Sequence, residues 1–255
     1  MDRLHLEEQF LLVLETLSFV ALCVRLIWNG LFRIYPYFFS YLVLSLAQVV
    51  ALPLFPLQSH NYVKFWMFSE ALTMSAYALM VLETYGVILR GLPGISSVAR
   101  GFLKVAIGSA AMLSLLLLGV GVKPAQVSDY FVTCERVIIT SLLLLVLFSI
   151  TFLAYYPVPL NRNVIYYSVG FAAYLLVKAV ILFIENLRYY WWYREVTNLL
   201  LAACCTCLMF WLFTLSRKGE DMTVSLAHEW SPEAEKRILT SLKSINEELL
   251  RPQRK

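Results

Sequence analysis

The sequence predicts an all-α, polytopic membrane fold of seven transmembrane helices, and three observations carry that expectation. The chain of 255 residues is 60% hydrophobic with a mean hydropathy of +0.70, whereas soluble domains sit near half apolar. Its apolar residues gather in runs of about 20, the length a helix rising about 1.5 Å per residue needs to cross a hydrocarbon core of roughly 30 Å. The breaks between runs carry turn chemistry: Gly30 and Pro36, Pro53 and Pro56, Gly91 with Pro93 and Gly94, Gly121 and Pro124, then Pro157 and Pro159.

The runs fall at residues 9–28, 36–56, 63–89, 102–122, 130–154, 164–185 and 192–215. Short connections make consecutive spans antiparallel neighbours. Asp2, Glu7 and Glu8 precede the first run where a signal peptide carries basic residues, and no small-residue cleavage site follows, so it is expected to stay as a span. Orientation follows from Lys and Arg in the connections. With the amino terminus outside, Arg25, Arg33, Arg90, Arg100, Lys104, Arg162, Arg217 and Lys218 lie inside, against Arg3, Lys64, Lys123, Arg136, Arg188 and Arg194 outside. The basic tail adds to the inner side, and the outer aromatic run from Tyr189 to Tyr193 suits a membrane interface. The expectation is a multi-pass protein of a plasma membrane, of the bacterial inner-membrane kind, with a cytoplasmic carboxyl terminus.

The third span, Lys64 to Arg90, is the organising stretch because it carries Glu70 and Glu83 inside an apolar segment. An ionised carboxylate at mid-membrane costs about 3 kcal/mol on insertion scales, so such groups face a bundle interior and find partners. Under the expected orientation Glu15, Gln48, Glu70, Glu135, Arg136, Lys178 and Asn198 all lie roughly 8–12 Å inside the outer edge. That common level is what an outward-facing polar cavity requires, with Glu70, and after it Glu135, as carboxylate partners for Lys178. Packing polar groups between helices, or snorkelling to the interface, gives the same pattern without a cavity. Glu83 stands about 140° around the helix from Glu70 and about 20° from Arg90, which places Glu83, Tyr85 and Arg90 in a separate inner polar layer. The acids Glu70, Glu135 and Glu195 each follow an aromatic cluster and recur at intervals of 65 and 60 residues, a pattern compatible with a duplicated helix pair.

Beyond residue 216 the composition turns polar. Ser231-Pro232 is a helix-start signature, and Ile238, Leu242, Ile245 and Leu249 fall at helical spacing, which predicts an amphipathic helix over about 232–250 in a tail of residues 217–255. Its apolar stripe would dock on its own bundle, on a second copy or membrane-complex partner, or on lipid. The net charge of +4 resides in connections and tail, so membrane lipids and not nucleic acid are the expected contact. Cys23, Cys204, Cys205 and Cys207 sit in apolar runs, and His5, His60 and His228 lie outside the spans. No metal site and no cofactor is expected. Phosphate-loop and nucleophile-elbow motifs are absent, so no enzymatic activity is expected. The seven-span layout is similar to that of seven-helix receptors and retinal proteins. However, the last span has no Lys for a Schiff base, and Glu83-Thr84-Tyr85 lacks the receptor-type Arg. The function expected from these features is a sensory or signalling module that binds a small polar or amphiphilic ligand in the outer cavity and relays to the tail helix. A small-molecule or proton-coupled transporter, or a structural subunit of a membrane complex, is the alternative.

Overall fold

A computed structural model describes residues 6–56, 60–89, 127–155, 160–186, 193–224 and 232–250, together with the single positions 101, 105, 108 and 112. The chain is mostly helical. Its main helices are α1 (Leu6–Trp28), α2 (Pro36–Ala51), α3 (His60–Ile88), α4 (Val127–Tyr155), α5 (Arg162–Asn186) and α6 (Tyr193–Thr214), followed by the short α7 (Arg217–Asp221) and the tail helix α8 (Pro232–Leu250). Five of them are long and apolar enough to cross a membrane, over Gln9–Trp28, Pro36–Leu54, Asn61–Ile88, Phe131–Leu153 and Arg162–Ile184. The apolar part of α6, Asn198–Thr214, is shorter. The expected span over 102–122 lies outside the described residues, apart from three of those single positions.

Local chemistry sets the helix ends. Gly30 takes a left-handed conformation, φ 70° and ψ 9°, the usual way for glycine to terminate a helix because it has no Cβ to clash. A 3-10 turn at Leu31–Arg33 follows, and α2 then begins with Pro36 at its first position, where a missing N–H costs nothing. A second 3-10 turn, Leu52–Leu54, carries Pro53 and closes α2.

The helices form a ring. α1 packs on α2 and α6, α2 on α3, α3 on α4 and α5, α4 on α5, and α5 on α6. α3 and α5 are the central members: 56% of each candidate span is buried, against 33% for α1 and α4 and 22% for α2. On α3 the polar residues Glu70, Thr73, Glu83 and Thr84 are buried, while Phe68, Leu72 and Leu79 face outward. α1 shows the same division. Phe10, Val13, Leu17, Val20, Val24 and Ile27 recur at intervals of three and four and are exposed, while Glu15, Ser18, Phe19, Leu22 and Leu26 are buried. An outward apolar stripe with polar groups turned inward suits a hydrocarbon solvent.

Close approach between α5 and α6 depends on Gly170. A Cβ there would stand 2.5 Å from Trp211 Nε1 and 3.1 Å from the Phe210 ring, and Trp211 is almost wholly buried, with no free space to move into. Alanine is the better helix former by about 1 kcal/mol, but overpacking a tight contact costs about 1–3 kcal/mol. Gly170→Ala is therefore expected to lower the thermal midpoint in detergent, and an unchanged or raised midpoint would show that α5 and α6 stand further apart than described.

Candidate functional site

Lys178 is the centre of the site. On α5 it shares a face with Tyr174, Phe171 and Tyr167, at spacings of four, three and four, and that face looks into the bundle. On α3 the matching face carries Glu70, Thr73 and Tyr77. The Lys178 ammonium donates to Glu70 Oε1 at 2.6 Å and lies 2.9 Å from Glu135 Oε1 of α4. One cation thus ties three helices. The three side chains are only 8%, 10% and 4% exposed, so they are buried and paired instead of lining an open mouth.

The surroundings complete the pairing. Gln48 of α2 donates from Nε2 to Glu70 Oε2 at 3.3 Å and accepts from Thr73 Oγ1 at 3.1 Å, which fixes both ends of its amide. The Tyr77 ring lies 5.1 Å from the ammonium, in range for cation–π attraction. Its hydroxyl meets that of Tyr174 at 2.7 Å. Two carboxyls share one ammonium, so the cluster has one more acid than base.

Of the other residues expected at this level, Glu15 of α1 is buried against Cys204 of α6. Asn198 is on the same helix as Cys204, and its Oδ1 is buried with no hydrogen-bond partner. Arg136 follows Glu135 on α4, is half-buried and has contacts of its own. Of the residues expected at this level, the structure brings Glu70, Glu135, Lys178 and Gln48 into direct contact.

Two residues of the expected inner layer are described. Glu83 is directed to the start of α2, where its Oε1 accepts the Tyr37 N–H at 3.0 Å and its Oε2 the Phe38 N–H at 3.1 Å. Tyr35, at the cap position of α2, supplies no side-chain cap. Glu83 fills that role from another helix, where an anion also meets the positive end of the helix dipole. Tyr85 turns to α4 and donates to the Leu145 carbonyl at 3.0 Å. Arg90 lies outside the described residues. The Tyr167 hydroxyl is buried beside Glu83 and Thr84 without a well-formed hydrogen bond.

Sequence reasoning missed a polar knot at this end of the bundle. Glu220 of α7 accepts from Tyr35 at 2.7 Å, Asn161 at 2.9 Å and Asn163 at 2.7 Å. Asn163, fully buried, also donates to the Ser216 carbonyl at 2.7 Å, and Arg25 of α1 donates to the Leu215 carbonyl at 3.1 Å. Ser216 caps α7 by accepting the Gly219 N–H. A Cβ at Gly219 would stand 2.2 Å from Asn163 Oδ1, so this position needs glycine. A two-strand pairing of Leu160–Asn161 with Thr223–Val224 closes the knot. Beside it lies a cavity of about 520 Å³, lined in part by Trp28, Arg33, Arg217 and Asp221. The available signals were Asn161 and Asn163 bracketing Arg162, and Ser216 ahead of a Gly-Glu pair, both weak without the third dimension.

Among the described residues no group of three His, Cys, Asp or Glu is arranged to hold a metal ion. The parts of the site are suited to binding and to electrostatic locking.

Lys178→Met strands two buried carboxylates, and breaking a buried pair by removing one partner costs about 3–5 kcal/mol. Glu70→Gln leaves Lys178 with Glu135 and is expected to cost less. Combined with Lys178→Met it should give a loss smaller than the sum. Thermal unfolding of the two single variants and the double variant in detergent checks this, and strictly additive losses would deny the Glu70–Lys178 contact. No family model matches the chain, and neither does any curated protein or solved structure.

Proposed function

We propose that the protein is a seven-span sensory or signalling module of a plasma membrane whose Lys178 cluster responds to a small polar or amphiphilic ligand and biases the cytoplasmic tail. The supporting observation is an unbroken series of side-chain contacts from the cluster to the knot. The Lys178 ammonium sits over Tyr77. The Tyr77 ring lies 6.2 Å from Phe171, Phe171 stacks with Tyr167 at 6.3 Å and 3° between planes, and Tyr167 lies 5.5 Å from Tyr35. The Tyr35 hydroxyl then donates to Glu220. Phe38 branches from this line, with its ring 5.0 Å from Tyr167 and 4.9 Å from Trp211, and its own N–H is held by Glu83.

Packed aromatics and paired charges transmit strain because they have few alternative arrangements. A ligand that competes for Glu70 or Glu135 frees Lys178, shifts Tyr77 and loosens the contact between Tyr35 and Glu220. Couplings of this kind are typically 1–3 kcal/mol, or about 5–150-fold in an equilibrium. The amphipathic α8, with Leu242 buried and Ile245 exposed, follows the knot and is the element through which a homo-oligomer or membrane partner would read the change. Transport remains the alternative reading, supported by carboxylates at two depths, and ligand flux in liposomes would favour it.

Amide hydrogen exchange over residues 216–224 tests the relay. Lys178→Met is expected to speed exchange there about 10-fold relative to amides of α1 and α2, and Tyr35→Phe to speed it without disturbing the cluster. Exchange in this segment that follows global stability alone would leave the relay without support. The orientation has its own check: a reporter active only in the cytoplasm should work when fused after Lys218 and fail after Lys123, and the reverse result would turn the cluster toward the inside.

A further inference from the structure

We infer that the cluster formed by Glu70, Glu135 and Lys178 is a proton-binding site, in which one proton is shared on the carboxyl pair while Lys178 stays charged. The inference rests on the geometry of the cluster alone and stands whether or not the tail relay operates. Both carboxyls contact the same ammonium, at 2.6 and 2.9 Å, so an oxygen of each is held against one nitrogen and the two acids are close neighbours. All three side chains are buried. With both carboxyls ionised the cluster has a net charge of −1 in a segment apolar enough to cross a membrane, and two like charges sharing one buried ammonium in such a site do not both persist. One proton brings the net charge to zero.

Among the described residues, the groups found against the cluster are neutral. From α2 come the Gln48 amide and the Tyr41 ring, which packs on Tyr77. α3 adds Thr73 and Tyr77, and α5 adds Tyr174. From α6 the Cys204 thiol reaches the tyrosines. On α4, Arg136 is about 100° around the helix from Glu135. A bare sodium ion needs several oxygens around it, whereas here one oxygen of each carboxyl is already given to Lys178 and Glu70 Oε2 to Gln48. A proton needs only one oxygen.

The step balances simply. A proton from water adds to one carboxylate oxygen and forms an O–H bond donated to the neighbouring carboxylate, which keeps its charge and its bond to Lys178. Release returns the proton to water and leaves the cluster at −1, with the carboxylates repelling each other across the α3–α4 contact. Proton occupancy therefore changes how firmly α4 is held against α3.

Infrared spectra of the full chain in nanodiscs at neutral pH, read at the band of a protonated buried carboxyl against a Glu15→Gln background, test this. One carboxyl's worth of signal is expected in the parent. It should vanish in Glu135→Gln and in Glu70→Gln, since either leaves one carboxylate matched to one ammonium, and double in Lys178→Met. Arg136→Gln should leave it unchanged, and so should exchanging sodium for choline. If the parent shows no such band, if neither glutamine variant reduces it, if Arg136→Gln increases it, or if sodium abolishes it, the proton assignment is overturned. Should Lys178→Met not fold, the two glutamine variants decide alone. Because the readout is spectroscopic and local, its failure is distinct from a failure of tail coupling.

Discussion

The position of Lys178 constrains the rest of the bundle. An ammonium this far inside an apolar helix is tolerated only if carboxylates meet it, and meeting Glu70 and Glu135 together sets the rotation and depth of α3, α4 and α5 at once. Rotation of α5 by one residue, about 100°, would turn Lys178 toward lipid or an apolar face. Apolar packing alone is a weak guide in a membrane, where lipid tails satisfy leucine as well as another helix does. The ion cluster supplies the specificity that leucine contacts lack, and the close Gly170–Trp211 approach does the same between α5 and α6.

Glu83 solves a different problem on the same helix. The first N–H groups of α2 have no partner within their own helix, and a bilayer offers no water to take them. The carboxylate of Glu83 accepts two of them, while Pro36 removes a third by lacking it. Glu70 and Glu83, roughly 20 Å apart along α3, therefore do unlike things: one matches a side-chain charge, the other a helix end. The difference arises from what α5 and α2 present at each level.

The helices were legible where composition and turn residues speak together. The candidate spans of α1, α2, α3, α4 and α5 begin and end within a few residues of the apolar runs read from the sequence, because Gly30, Pro36 and Pro53 act locally. Seven spans and their orientation were not settled by the same means, since α6 carries a shorter apolar stretch and residues 102–122 lie outside the described part of the chain. Within the site, the Glu70–Lys178 pair was legible because a buried ammonium demands a carboxylate and Glu70 shares its face with Thr73 and Tyr77. The pairing of Glu15 with Cys204 of α6 was not, because depth along a helix says nothing of which neighbour lies beside it. Likewise the knot around Glu220 joins residues of four separate segments, and no spacing rule brings those together.

The knot also bears on how a polar tail can respond to events inside a membrane. Glu220 is held by three neutral donors, Tyr35, Asn161 and Asn163, so these bonds are of the order of 1.5–3 kcal/mol each and not a deep electrostatic trap. Losing one is a modest change that leaves two in place. The Tyr35 bond is tied to the core aromatics, because the Tyr35 ring packs on Tyr167, whereas Asn161 lies in the two-strand pairing and Asn163 in the first turn of α5. A shift among the core aromatics would therefore alter one donor of three, which weakens the knot without dismantling it.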